Sequence, residues 1–322
     1  PGLIEKAKAD GQAALALTDH GNMFGIKLFY DTCRQKGIKP ILGCEAYVAR
    51  VSLYNKEKPI DRSGEHLIIL AKNLTGYLNL VKLCSTAFCD GFYYRPRIDK
   101  TQLEKHHEGL IISSACLGGE IDQKIMAGDL EGAEKAALWY KNLFGEDYYL
   151  EVMRHPAADP KQRAEIYDNQ QRCIQEKIKI ARKLNIKLIA TNDVHFLNEE
   201  DAEAHDLLIC LNTRKDIDDP TRMRYTRQEW FKTTQEMIDL FPDLPEAITE
   251  TKVGAFLGKV VNSAAAQITG TGLLTLSEET RPIRGGFIMV DGPVEVNCAF
   301  EAMVRAQREQ LEKPVAEILF QK

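Results

Sequence analysis

No apolar run in the 322 residues reaches the about 18 uncharged positions that a membrane-spanning helix requires. Runs such as Leu67–Ala71 and Ile111–Ala115 have the length of a strand. The eight cysteines form no CxxC pair and keep no regular spacing, which argues against a disulfide framework and makes a reducing cytoplasm the expected compartment. Residues Pro1 to Lys6 lack the basic-then-apolar layout of a secretory leader, so none is expected there. Basic charge is not in excess. Forty-two Lys and Arg stand against 47 Asp and Glu, a net charge of −5, which argues against a surface that coats nucleic acid indiscriminately. A local basic groove stays open, and no internal repeat is visible. What is present is a globular composition, 44% apolar and 28% charged, with room for one large domain or two ordinary ones.

The first 200 residues alternate short apolar runs with helical patterns. Ala13–Thr18, Pro40–Val48, Leu67–Ala71, Leu110–Ser114, Tyr148–Met153 and Lys187–Thr191 read as strands. Asn22–Gln35, Leu74–Cys89, Glu131–Phe144 and Asp159–Leu184 read as helices. Such alternation predicts an α/β fold with a mainly parallel sheet, open or closed into a barrel. Residues 202–251 turn helical and polar, with a loop around Asp216–Arg224. The composition then changes to Ala, Gly, Ser and Thr over Gly254–Gly272, which reads as a linker. Beyond it, Phe287–Val290 and Val294–Val296 flank an Asp291-Gly292-Pro293 turn and predict a hairpin. An amphipathic helix carrying Phe300, Val304, Leu311, Val315, Ile318 and Leu319 follows.

Ligands of parallel α/β folds gather beyond the carboxyl ends of the strands. Four such ends carry metal-ligating residue types: Asp19-His20-Gly21-Asn22, Glu45 after Ile41–Cys44, Cys116 with Leu117-Gly118-Gly119, and Asn192-Asp193-Val194-His195. Asp193 and His195 are two apart, so an extended backbone points both to one face, where a carboxylate and an imidazole can share a cation. Imidazole and thiolate suit zinc, while carboxylates also admit manganese or magnesium. Each position also has a structural reading. Asp19 can cap the helix that follows it, Glu45 can face solvent, and Cys116 can be a small buried hydrophobe. His66 precedes its strand, so spacing alone does not select it. Arg154 and His155, after the strand Tyr148–Met153, are candidates for contacting a phosphate.

Thr18–Met23, Gly43-Cys44-Glu45, His66-Leu67, Gly91–Asp99, Cys116–Gly119 and Asn192–Phe196 together resemble the PHP (polymerase and histidinol phosphatase) domain. More narrowly, the Gly91-Phe92-Tyr93-Tyr94 and Pro96-Arg97-Ile98-Asp99 stretch resembles the form at the amino end of bacterial DNA polymerase III alpha subunits, over residues 1–251. The resemblance implies a distorted (β/α)7 barrel with a metal cluster at one mouth. It implies His20, Glu45, His66, Cys116, Asp193 and His195 as ligands of zinc or manganese, with Asp193 and His195 as the catalytic pair and Asp19 supporting the ligands from behind. In some members the cluster hydrolyses DNA 3′ ends, a 3′–5′ exonuclease activity; in others the domain only supports the polymerase. DNA and other replicative polymerase subunits are the implied partners. The family's opening H-x-H strand and following Asp have no counterpart after Pro1, so the barrel is expected to lack its first strand.

Leu276–Phe287, Val296–Glu301 and Ile318–Phe320 resemble the carboxyl-terminal domain of a peripheral-stalk protein of V/A-type ATPases, which implies a small α+β domain that binds ATPase head subunits. The expected organisation is therefore a metal-binding barrel over 1–251, a linker over 252–271 and an α+β domain over 272–322, a fusion of unrelated parts.

Overall fold

A computed structural model describes residues 1–57, 64–251, 286–291 and 294–299, and the chain divides into two compact units, Pro1–Leu273 and Leu274–Lys322. The first unit opens with helix α1 (Gly2–Ala9), strand β1 (Ala14–Leu17), helix α2 (Ile26–Lys36) and the long strand β2 (Lys39–Val48). Helix α2 starts four residues later than its apolar spacing predicts. Asn22 Oδ1 accepts from the Phe24 amide at 2.9 Å and Asp19 Oδ2 from the Gly25 amide at 3.2 Å, so two side chains hold residues 19–25 as a turn. At its other end Gly37, at φ 71°, closes the helix in the left-handed conformation that glycine adopts without strain.

Strand β3 (Glu65–Ala71), helix α3 (Leu74–Cys89), the two-residue strand β4 (Arg97–Ile98) and helix α4 (Lys100–Lys105) come next. Asn73 and Asp99 cap the two helices, accepting from the amides of Gly76 at 2.9 Å and Gln102 at 3.0 Å. Strand β5 (Leu110–Ser113), helices α5 (Glu120–Met126) and α6 (Leu130–Phe144), and strand β6 (Tyr148–Val152) complete the middle of the unit. The helical stretch expected over 159–184 is broken. A single turn α7 (Pro160–Gln162), capped by Asp159, passes through a π-helical turn at Arg163–Tyr167 into α8 (Asp168–Leu184). Strand β7 (Lys187–Ala190) and helices α9 (Ala202–Thr213), α10 (Thr234–Leu240) and α11 (Pro245–Thr251) follow.

The sheet runs β1-β2-β3-β5-β6-β7, with β4 attached to β2, and curls into an open half-barrel with β1 and β7 at its ends. The α/β class follows the sequence reading, but the sheet is less parallel than expected. β1–β2, β5–β6 and β6–β7 are parallel, whereas β3 is antiparallel to both β2 and β5. The described part of the β2–β3 connection holds no helix, and a parallel return would need a crossover. This reversal puts the amino end of β3 at the same mouth as the carboxyl ends of β1, β5 and β7.

The main core lies between the sheet and its helices, with Ile69, Leu80, Leu83, Leu103, Ile112, Ile125, Leu150 and Cys173 at 1% exposure or less. Burying each large apolar side chain contributes about 1.5–3 kcal/mol. A smaller cluster around Ile4, Ala7, Phe29, Cys33 and Phe231 seats α1 and α2 on the outer side of β1. In the second unit, strands β8 (Gly286–Asp291) and β9 (Val294–Ala299) form the expected antiparallel hairpin, with Asp291 paired to Val294. The linker over 252–271, the helix from Phe300 onward and the rest of the stalk-like α+β domain lie outside the described residues.

Candidate metal centre

Strands β2 and β3 pair Glu45 with Ile68 and Tyr47 with His66. Opposite residues share a face and side chains alternate, so Glu45, Tyr47 and His66 all project to one side of the sheet. There Glu45 Oε1 lies 2.6 Å from His66 Nδ1, and Glu45 Oε2 lies 3.6 Å from His20 Nδ1. His20 reaches this point because β1 continues as a bridge between His20 and Glu45, with the Gly21 amide donating to Glu45 O at 2.8 Å.

Cys116 enters from the end of β5, with its Sγ 3.5 Å from His66 Nδ1. Ala115 holds φ 59°, a left-handed conformation that costs an alanine about 1 kcal/mol or more and turns Cys116 inward. Two glycines then let the chain cross the imidazole: a Cβ on Gly118 would meet His66 Cγ and Nδ1 at 3.0 Å, and the Gly118 carbonyl accepts from the His66 amide at 2.9 Å. The ligand atoms of Glu45, His66 and Cys116 lie within 4.8 Å of one another. Burial pushes the Cys116 thiol well above its ordinary pKa, and the carboxylates of Asp193 and Glu45 add to the shift.

Asp193 and His195 follow β7. Asp193, at φ 45°, sets its Oδ1 3.5 Å from His195 Nε2. Burial acts to raise the Asp193 carboxyl, but the hydrogen bond and charge of His195, with His155 and His20 nearby, bring it below its ordinary value. Burial lowers His195 while Asp193, Glu45 and Glu229 outweigh it and raise it. The His195 ring stacks on His20 with centroids 5.7 Å apart, joining this pair to the Glu45 side. Tyr225, at 4.6 Å, and His205, at 5.6 Å, cover its other side. The His195 amide donates to Glu229 O at 2.9 Å, so the segment returning through Glu229 fixes its height.

A buried carboxylate that sequence reasoning did not single out braces the strands beneath these ligands. Glu151 on β6, 2% exposed, accepts from Ser113 Oγ on β5 and from Thr191 Oγ1, at 2.7 Å, beyond β7. Its own amide donates to Ser114 Oγ at 2.9 Å. Ser114 and Thr191 each stand two residues before a site residue, Cys116 and Asp193.

The structure brings six of the sequence candidates together: His20, Glu45, His66, Cys116, Asp193 and His195. Asp19 has the helix-turn role, through the Gly25 amide. Arg154 departs from its expected place on a phosphate. Its guanidinium is taken by Asp243, at 2.5 and 2.8 Å, and by Leu240 O at 3.0 Å. His155 is 3% exposed and is held by Gln170, at 3.0 Å, and Asn192 O, at 3.1 Å, so it backs the Asp193 segment rather than facing solvent.

Glu45 supplies a direct test of metal fit. The residue is 5% exposed, yet its Oε1 takes part in no hydrogen bond despite a ring nitrogen 2.6 Å away. Buried carboxylate oxygens are otherwise almost always satisfied. Lone-pair atoms that crowd without a shared hydrogen are what a cation between them explains, and carboxylate, imidazole and thiol form a donor set for a divalent metal. The residues fit the group.

Residues 1–155 match the model of the PHP domain, a span that takes in His20, Glu45, His66 and Cys116. The chain is 44% identical over 252 residues to the DNA polymerase III subunit alpha of Borreliella burgdorferi, covering 77% of this chain and 21% of that protein. The corresponding protein of Treponema pallidum is 43% identical over 252 residues, with 77% and 21% covered. That of Campylobacter jejuni is 42% identical over 260 residues, with 76% and 20% covered. The chain thus spans about a fifth of the length of these curated relatives. No helix among the described residues is long and apolar enough to cross a membrane. The chain therefore carries a PHP-domain-like fold homologous to the PHP domain of DNA polymerase III alpha subunits.

Proposed function

We propose that the first unit is a metal-dependent phosphodiester hydrolase of the 3′–5′ exonuclease type, working in the cytoplasm as part of a replicative polymerase subunit, with DNA and other polymerase subunits as partners. The observation that carries this reading is the convergence of Glu45, His66 and Cys116 around an unsatisfied buried carboxylate oxygen. Glu45, His66, Cys116 and His20 would hold one zinc or manganese ion, and Asp193 with His195 would hold a second or complete the first. A divalent cation bound there would act as a Lewis acid on a phosphoryl oxygen.

The chain's own contribution is placement. Asp193 orients His195 through the 3.5 Å contact, and Gly118 seals one side of His66. The half-barrel mouth leaves His20, 43% exposed at its side chain, as the edge from which substrate enters. The resemblance of residues 272–320 to an ATPase stalk domain rests on sequence motifs alone, and the proposal does not extend to them.

The test is release of mononucleotides from a 3′-labelled single-stranded DNA by the purified chain with added manganese or zinc. The wild-type protein releases label and Glu45→Gln does not. Metal-loaded wild-type protein that leaves the DNA intact would show the site to be a non-catalytic support.

A further inference from the structure

The segment between Gly91 and Asp99 is built more rigidly than a surface loop requires. Arg97 is fully buried and donates to Gly91 O at 3.1 Å, Leu53 O at 3.1 Å and Asn55 O at 3.0 Å. A Cβ on Gly91 would meet Arg97 O at 1.9 Å, so only glycine lets the two ends of the loop close. Tyr94 is held at φ 61°, and the Tyr93 amide donates to Arg95 O at 3.0 Å. A tight turn therefore presents Arg95 from a fixed backbone.

That turn leans on the candidate metal centre. Pro96 Cγ would lie 2.8 Å from a Cβ on Gly21, the residue after His20, and the Tyr47 ring closes on the same point at 3.0 Å. Arg95 Cζ sits 5.7 Å from the Tyr47 ring centroid. The other neighbours of Tyr47 are the imidazoles of His20, stacked at 6.4 Å, and His66, edge-on at 5.3 Å. One aromatic ring thus separates an exposed guanidinium from two candidate ligands.

The pairing of the arginines is uneven. Arg154 is committed to Asp243 and Arg222 to Asp206, both through two nitrogens. Among the described residues, no carboxylate pairs with Arg95. Its contact with Tyr47 is a weak exposed cation–π interaction that leaves the donor fork open, and such a fork matches phosphate oxygens.

We propose that Arg95 binds a backbone phosphate of a single-stranded nucleic acid whose neighbouring phosphate lies at the Glu45–His66–Cys116 cluster. The proposal rests on the metal-site reading and narrows its substrate. Tyr47 stands between the guanidinium and the cluster, so a lone phosphate ester at the cluster leaves Arg95 unpaired, whereas a strand offers a second phosphate. Arg95 acts here as a specificity-determining contact that takes the place expected of Arg154.

The experiment measures binding of a labelled single-stranded oligothymidylate to the full chain by fluorescence anisotropy, across a salt series, for wild type, Arg95→Ala and Arg95→Lys. Arg95→Ala is expected to bind about tenfold more weakly and to lower the slope of log affinity against log salt by about 0.7, the value for one single-strand phosphate contact. Arg95→Lys is expected to keep the slope. Bound metal in Arg95→Ala stays at the wild-type level, and its hydrolysis of bis(p-nitrophenyl) phosphate, which carries no second phosphate, is unchanged. Affinity and slope equal to wild type in Arg95→Ala would overturn the proposal, as would wild-type protein that does not bind the strand. A wild-type chain that holds no metal is a separate result, read by elemental analysis, and would overturn the metal-site reading instead.

Discussion

Glu45 and His66 are diagonal neighbours on one face of an antiparallel strand pair, and the carboxylate Oε1 of one lies 2.6 Å from the Nδ1 of the other. Neither lies where a wholly parallel sheet would place a ligand. Glu45 sits within β2, which runs on to Val48, and His66 is the second residue of β3. The reversal of β3 makes them meet, because it turns a strand's beginning toward a mouth otherwise formed by strand ends.

Beneath the mouth, Lys177 and Asp122 form an ion pair, with 2.8 Å between Nζ and Oδ1 and both residues under 4% exposed. Burial raises the Asp122 carboxyl, with Lys177 opposing that shift. Lys177→Met strands the carboxylate and is expected to cost about 3–5 kcal/mol of unfolding free energy by denaturant titration. Adding Asp122→Leu should recover most of that loss, since two apolar groups of similar volume need no partner. A single-mutant cost under about 1 kcal/mol, the range of an exposed pair, would contradict the burial of the pair.

Glu151 gives a pH signature. Burial raises its carboxyl above the ordinary glutamate value against the opposing hydrogen bonds of Ser113 and Thr191. Above the unfolded pKa the unfolded chain has released this proton while the folded chain retains it, so stability falls as pH rises until the folded pKa is passed. Its contribution is fully present below the ordinary glutamate value and is lost on the alkaline side. Glu151→Gln is expected to flatten that decline between about pH 5 and pH 8, measured by denaturant unfolding. A wild-type and variant difference that does not change with pH would refute it.

The strands and helices were legible in sequence where one apolar period dominates, as in Leu74–Cys89, whose expected and observed limits coincide. Elements set by side-chain-to-backbone bonds were not. The Asp19 and Asn22 turn delays α2, and two-residue β4 exists only as a partner of β2. In the site, Glu45, Cys116, Asp193 and His195 could be picked from strand spacing. His66 could not, because its strand direction is a tertiary fact. Tyr47 and Arg95 carried no signal of their own, since an aromatic residue and an arginine are ordinary at a strand edge and in a loop. Arg154 misled because Asp243, its partner, is 89 residues away.

Gly76 tests the packing of α3 on the loop before β5. Helix propensity alone favours Gly76→Ala by about 1 kcal/mol. A Cβ there would lie 1.7 Å from Gly109 O, however, and backbone cannot step aside as a flexible side chain can. The clash should win, lowering stability by about 1–3 kcal/mol in thermal unfolding. A stabilised variant would mean that the α3–loop contact is looser than described.

The central claim is that Glu45 organises a divalent-metal site, and elemental analysis of the purified chain addresses it most directly. Wild-type protein, exchanged into metal-free buffer after loading, is expected to retain stoichiometric zinc or manganese, and Glu45→Gln to lose most of it while keeping its wild-type unfolding midpoint in the metal-free state. Equal metal content in the two proteins, or none in either, would contradict the account.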